Sequence, residues 1–461
     1  MQNRKSAGYK QGQAFRLTVG EPFKAWPCSS CKGVLSDSII GNFMQKFCHP
    51  LVAEVLLLIS LCLFWYEGVF QGIGTGLLSL SLVSSTMLLL AFLFSDKSKI
   101  RVTRPLVFLI VFYVLSSFSG VLASTRGLNV AMILSGWLLF VQFLVAILAA
   151  QGVAKPQRLL TNLLYLSIPM TLLGLYQFIT QQETSRLWIS PGEASIGTRA
   201  FATFGSPNVL GAILAILIPI CLGLFFEKVS KDSPFKRTVL LTISILAVIA
   251  LVMTFSRSSW LGLVIGVAIV LVFYRWKLMF FSPLALLPLL VTQVRERIAT
   301  VFSASYWFDS TLDGRLWSLN NAFHLFAKYP VFGTGPGTYG GQLALNYASP
   351  VYLEGIQAGY VALYFTDNQW IQLLVQTGLV GVTLFVLFAV ESCYGLLAEF
   401  RKSGSLLQLG ILAAFISFIV TGFFGNVLEF GAISVFMGII LGVAVAEQDL
   451  VTSPVSSKVR P

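Results

Sequence analysis

Twelve apolar runs pattern the chain, at about 51–70, 74–94, 106–123, 128–150, 159–180, 208–226, 238–253, 260–273, 278–291, 370–390, 406–423 and 432–446. A bilayer core takes roughly 20 helical residues to cross, and lipid offers no partner to an unbonded backbone N–H or C=O. Runs of this length therefore fold as spanning helices; 260–273, 278–291 and 432–446 are short and extend into their flanks. Composition agrees: 56% hydrophobic and only 11% charged residues, with a mean hydropathy of +0.82, exclude a soluble globular domain. The expected fold is an all-α polytopic membrane protein with about twelve transmembrane helices.

Cations orient such a chain, because cytoplasmic loops carry the excess of Lys and Arg. With the N-terminus inside, 23 of the 31 Lys and Arg residues fall on inner segments and 8 on outer ones. Both termini are thus expected in the cytoplasm. The predicted organisation is a basic cytoplasmic tail at 1–50, helices one to nine within 51–291, a large extracytoplasmic loop at 292–367, helices ten to twelve within 368–446, and a cytoplasmic tail at 447–461. The first apolar run follows a polar, basic stretch, which is unlike a cleavable signal peptide. The net charge of +12 then reports orientation and contact with membrane lipids, and no aromatic–basic pattern points to nucleic acid.

Cys62, Cys221 and Cys393 lie in or beside apolar runs and read as packing residues. Cys28-x-x-Cys31, with Cys48-His49 beyond it, is a single CxxC without the second pair a zinc site needs, so no metal is expected. No G-x-x-x-x-G-K-[ST] sequence occurs, and Gly333-x-Gly335-x-Gly337 lacks its lysine and its strand–helix context. A site on the outer face has no ATP and has to use an activated substrate; no cofactor is expected.

The polar residues that exceed what a membrane span needs concentrate outside. Seven of the eight outer cations are arginine, whose planar fork binds phosphate bidentately and never loses its charge. Arg257 sits in MTFSRSSWLG, between two apolar runs with almost no loop, where a cation is costly and points to function; a snorkelling or carboxylate-paired arginine is the plainer alternative. Arg315 follows Gly314 and opens an amphipathic stretch, LWSLNNAFHLF, expected to lie on the outer surface. Arg199 precedes AFATFGSPN, which turns into the next helix at Pro207-Asn208, and Arg126 reads as an ordinary surface charge. Gly333, Gly335 and Gly337 with Pro336 form a tight turn whose backbone amides are expected to face an anion. Asp367 and Asn368 stand at the mouth of the run at 370–390, where Asp367 serves either as a helix cap or as a general base. Glu193, Glu354 and Glu429 are further outer carboxylates, Asp309 and Asp313 are candidate caps, and His324 reads as a surface residue.

Five segments in order carry a resemblance: RAFATFGSPN (199–208), TFSRSSWLG (254–262), GRLW (314–317), YPVFGTGPGTY (329–339) and DNQWIQLLVQTGLVG (367–381). Together they resemble the O-antigen ligase/polymerase family of bacterial membrane proteins. The resemblance implies a membrane-embedded, lipid-dependent glycosyltransferase of the cell envelope. Its donor would be a glycan on undecaprenyl diphosphate and its acceptor a glycan or a lipid-linked glycan. Transfer would take place on the outer face of the cytoplasmic membrane, inverting and without metal. It implies that Arg257 and Arg315 hold the diphosphate, with Arg199, Asn208, Gly335, Gly337 and Asn368 as further substrate-binding residues. Ligases of the family carry a histidine where this chain has Asp367, so either Asp367 takes the base role or the acceptor is activated differently, and this favours a polymerase-like member over a lipid A-core ligase. Tyr329 also stands where a histidine often precedes the proline.

A multi-span transporter, of inorganic carbon or of a polysaccharide precursor, is the alternative. Carriers place charge and broken helices near the midplane, often in repeated halves. No internal repeat is visible here, and Glu54, the main acidic residue within an apolar run, lies near its inner end.

Overall fold

The computed structural model describes residues 49–70, 80–185, 197–227, 233–275, 277, 280, 292–303, 315–351 and 366–452. All of these belong to the unit Cys48–Pro461. Every regular element among them is helical. They are α1 (Pro50–Phe70), α2 (Leu80–Phe94), α3 (Arg104–Thr125), α4 (Val130–Gln151), α5 (Pro156–Ile179), α6 (Pro207–Phe226) and α7 (Pro234–Met253), followed by α8 (Arg257–Arg275), α9 (Thr292–Ala299), α10 (Arg315–Lys328), α11 (Gln342–Asn346), α12 (Gln369–Ser403), α13 (Leu406–Gly422) and α14 (Gly431–Thr452). Eight are long and apolar enough to cross a membrane, and α1, α2 and α13 contribute shorter apolar stretches. Each of these lies over an apolar run of the sequence; the run at 278–291 lies outside the described residues apart from Phe280.

Local chemistry sets the boundaries. Proline stands in the first turn of α3, α5, α6 and α7, where its missing N–H costs nothing. Asn129 and Ser405 cap α4 and α13 through their side-chain oxygens. The centre of the bundle is α6, which packs against α7, α8 and α13 and whose apolar window is 83% buried. Gly223 of α6 and Gly410 of α13 meet backbone to backbone, which small residues permit where lipid supplies no hydrophobic drive between helices.

Loops assigned by charge to the same side bond to one another. On one side, Asp96 N–H donates to Gly152 O, Arg101 N–H donates to the Gln151 side chain, and Glu227 accepts from Leu407 N–H. There too Arg158 forks onto the buried Glu54 at 2.8 and 2.6 Å. On the other side, Ala200 N–H donates to Met253 O, Arg126 reaches Gly333 O, and Arg257 reaches the α9 segment.

Helix α12 breaks at Gly378, whose φ of 68° and ψ of −171° only glycine adopts without strain. The turn at 330–335 makes good the backbone bonds lost at the break. Thr334 and Gly335 N–H donate to the carbonyls of Val375 and Gln376, and Leu379 and Val380 N–H donate to Pro330 and Val331 O. Gly333 and Gly378 face each other in this contact, and a Cβ on Gly378 would collide with the Val331 carbonyl. Gly378→Ala is expected to cost about 1–3 kcal/mol from its backbone angles alone, before the collision is counted. Gly395→Ala, later in the same helix and with open space at its Cβ, should be neutral or mildly stabilising. Thermal unfolding of the two purified variants in one detergent checks this; equal midpoints would show the break to be replaceable by helix.

Candidate functional site

The segment 197–206 enters the bundle through Arg199, which is 2% exposed. Its Nε donates to Thr254 O at 2.9 Å and its Nη2 to Asn208 Oδ1 at 3.1 Å. One guanidinium thus ties the turn before α6 to the turn before α8. Gln177 fixes the same segment from α5, donating to Ala202 O and accepting from Ala202 N–H.

Arg257 is the first residue of α8 and is partly buried. Its Nη1 donates to Arg297 O at 3.2 Å and to Thr300 Oγ1 at 3.1 Å. Arg297, 8% exposed, donates through Nε to Phe255 O at 3.2 Å. The helix after the run at 278–291 is therefore clasped to the turn before α8 by two arginines. Arg297 is thus a further deeply placed cation beside Arg199 and Arg257; its neighbours Arg295 and Glu296 give it the look of an ordinary surface helix in the sequence.

Asp367 has φ +47°, a left-handed conformation that costs a non-glycine residue about 1–3 kcal/mol. Ala202 and Phe255 share the conformation, with φ of 50° each. Of the five described non-glycine residues with positive φ, three therefore fall in the motifs of Arg199, Arg257 and Asp367, while Gln181 and Ala348 lie elsewhere. The cap of α12 is Asn368, whose Oδ1 accepts from Trp370 and Ile371 N–H at 3.0 and 3.1 Å. Of the two roles open to Asp367, capping therefore falls to Asn368 instead, whose side-chain amide oxygen is engaged in the cap.

Three of these motifs meet in one cavity. Asn208 from α6, Ser258 from α8 and Asp367 line it, together with Ser206, Asn426 and Phe430. Behind it, Gln369, Gln372 and Gln376 form a buried stripe along one face of α12. Gln372 and Gln376 donate to Tyr339 O, Gln369 accepts from Leu428 N–H, and Gln372 donates to Glu429 Oε2 at 3.1 Å. The glutamines of DNQWIQLLVQ thus stitch the loop before α14 to the glycine turn. Burial pushes the Glu429 carboxyl above the usual carboxylate range, against the hydrogen bonds that favour its charge.

The glycine turn is used differently from the expectation. Residues 333–340 are buried, and the Gly335 amide is engaged with Gln376 O instead of facing an anion. Gly337 lies against Gly136 of α4, where a Cβ on either would strike the other's backbone. Ser119 of α3 donates to Phe332 O at 2.5 Å and closes the turn from the third side. Arg126 is no plain surface charge: its guanidinium lies 4.3 Å from the Tyr329 ring centroid. Arg315 opens α10, but its side chain lies outside the described residues, as do Glu193, Glu354, Asp309, Asp313 and the Cys28–Cys31 pair. His324 is exposed on α10, away from the cavity lining.

Among the described residues, eight apolar helices long enough to span a bilayer define a polytopic helical membrane protein. Residues 242–386, just under a third of the chain, match the O-antigen ligase family. The matched stretch holds Arg257, Arg297, Arg315, the glycine turn and Asp367; Arg199, Asn208 and Asn426 lie outside it. No curated protein matches the chain.

Proposed function

We propose that the chain is a glycosyltransferase of surface polysaccharide synthesis, using a glycan on undecaprenyl diphosphate at the outer face of the cytoplasmic membrane. The observation that carries this is the shared cavity of Asp367, Asn208 and Ser258, with Arg257 next to Ser258 at the start of α8. The Asp367 carboxylate takes the proton of an acceptor hydroxyl as its oxygen forms a bond to the anomeric carbon. The bond from that carbon to the lipid diphosphate breaks on the opposite side, inverting the centre. Arg257 and Arg315 stabilise the charge that gathers on the leaving diphosphate, so neither metal nor ATP is required. Asp367 in the place of the ligases' histidine favours polymerisation of the glycan over its transfer to a lipid core. Transport gains no support from the family match.

Deleting the gene in its host tests the reading. Loss of a surface polysaccharide, with its lipid-linked repeat unit accumulating, and recovery on complementation are the expected result. An unchanged polysaccharide profile would remove the transfer reading.

A further inference from the structure

Three buried polar atoms of cavity residues have no hydrogen-bond partner among the described residues: Ser206 Oγ, Asn426 Oδ1 and Thr421 Oγ1. Their residues are 3%, 4% and 3% exposed. A buried polar group left unsatisfied costs about 1–3 kcal/mol, so each such atom calls for a reason. Ser206 is the N-cap residue of α6, yet its side chain makes no capping bond. Serine is among the best capping residues, so its hydroxyl here forgoes its ordinary use. The Asn426 amide has a fixed orientation, because Nδ2 donates to Gly340 O at 3.0 Å and to Gln372 Oε1 at 2.8 Å. Its Oδ1 is therefore an acceptor only. Thr421 Oγ1 is likewise unpartnered but lies against Gly262, so it belongs to the contact between α8 and α13.

We infer that Ser206 Oγ and Asn426 Oδ1 form a recognition pair for the hydroxyl groups of a neutral sugar ring in the cavity that Asp367 also lines. An acceptor-only oxygen repels the oxygens of a phosphate and requires a ligand that donates, as a sugar hydroxyl or an N-acetyl N–H does. Phe424 and Phe430 line the same cavity and offer apolar surface to a ring face. The pair separates the two ends of a substrate by chemistry: diphosphate towards the arginines, sugar towards Ser206 and Asn426. This assignment rests on the transfer reading for the direction of the substrate, but the binding itself is measurable without any transfer.

The test uses the full chain in lipid nanodiscs, free of glycoside detergents. A panel of methyl glycosides of hexoses and N-acetylhexosamines is titrated against thermal unfolding, with inorganic diphosphate as the second probe. At least one glycoside should protect the wild type, and Ser206→Ala should weaken that protection by about 3–10-fold, the worth of one neutral hydrogen bond. Its unfolding midpoint without ligand should be unchanged or higher, because the hydroxyl it removes has no partner among the described residues. Protection by diphosphate should be the same in both proteins. No protection by any glycoside, or equal protection of the wild type and Ser206→Ala, would overturn the pair. Failure of the transfer reading shows instead in the deletion strain, whatever the titration gives.

Discussion

Asp367→Asn is expected to lower glycan transfer by about 10²–10⁴-fold with donor binding retained, the range lost when a positioned general base is removed. The structure makes this substitution a clean one. Asn368 is the cap of α12, with its Oδ1 on Trp370 and Ile371 N–H, so the cap survives the change. The backbone survives too: φ at 367 is +47°, and asparagine is one of the few residues that enter this region readily. Size and cavity shape are almost the same, and what changes is the charge and, with it, the capacity to take a proton. The measurement is turnover of the purified protein on a lipid-diphosphate glycan, with donor affinity read separately. Normal turnover in the Asn variant would retire Asp367 as the base. Glu429 would then be the carboxylate to test next, since burial raises its proton affinity and Gln372 ties it to the same helix.

How far the sequence could be read follows from which forces dominate. The spanning helices were legible because lipid demands long apolar runs, and proline or asparagine at their starts marks the ends of α4 and α6. The break in α12 was not legible, because Leu373 to Val380 is apolar enough to read as uninterrupted helix and Gly378 reads as one more small residue. Only the turn at 330–335, distant in sequence, supplies the partners that make a break tolerable there. The same contact explains the misreading of that turn. A glycine-rich loop can present its amides to an anion or to another backbone, and composition is identical in the two cases. Asp367 and Asn368 posed a similar ambiguity, since both types cap helices. Arg199 and Asn208 stand in one short motif, but neither their bond nor the tie from Arg199 to Thr254 can be read from it, because both depend on the tertiary fold. Ser206 and Asn426 carried no signal, because an unpartnered hydroxyl is a property of packing.

Arg257→Lys should reduce transfer by about 10²–10³-fold, the loss seen when one preorganised donor to a developing anion is removed. Lysine keeps the positive charge, so a large loss would show that the planar fork matters and not the field alone. The fork here is oriented: Nη1 donates to both Arg297 O and Thr300 Oγ1, which fixes the plane of the guanidinium at the start of α8. An ammonium cannot keep both bonds and also meet a diphosphate bidentately. Thr300→Val separates position from charge, since it removes one anchor of the fork and leaves the guanidinium in place. A loss smaller than that of Arg257→Lys, accompanied by weaker donor binding, is expected. Arg295→Lys is the proper comparison, because Arg295 is exposed and bonds only weakly to Thr292, at 3.4 Å; its activity should stay within about twofold of the wild type. Arg126 is unsuited to that role, because its stacking on Tyr329 and its bond to Gly333 O connect it to the turn that supports the α12 break. Equal tolerance of lysine at 257 and 295, with both variants expressed and folded, would leave the diphosphate clamp without support and move the search for it to Arg297.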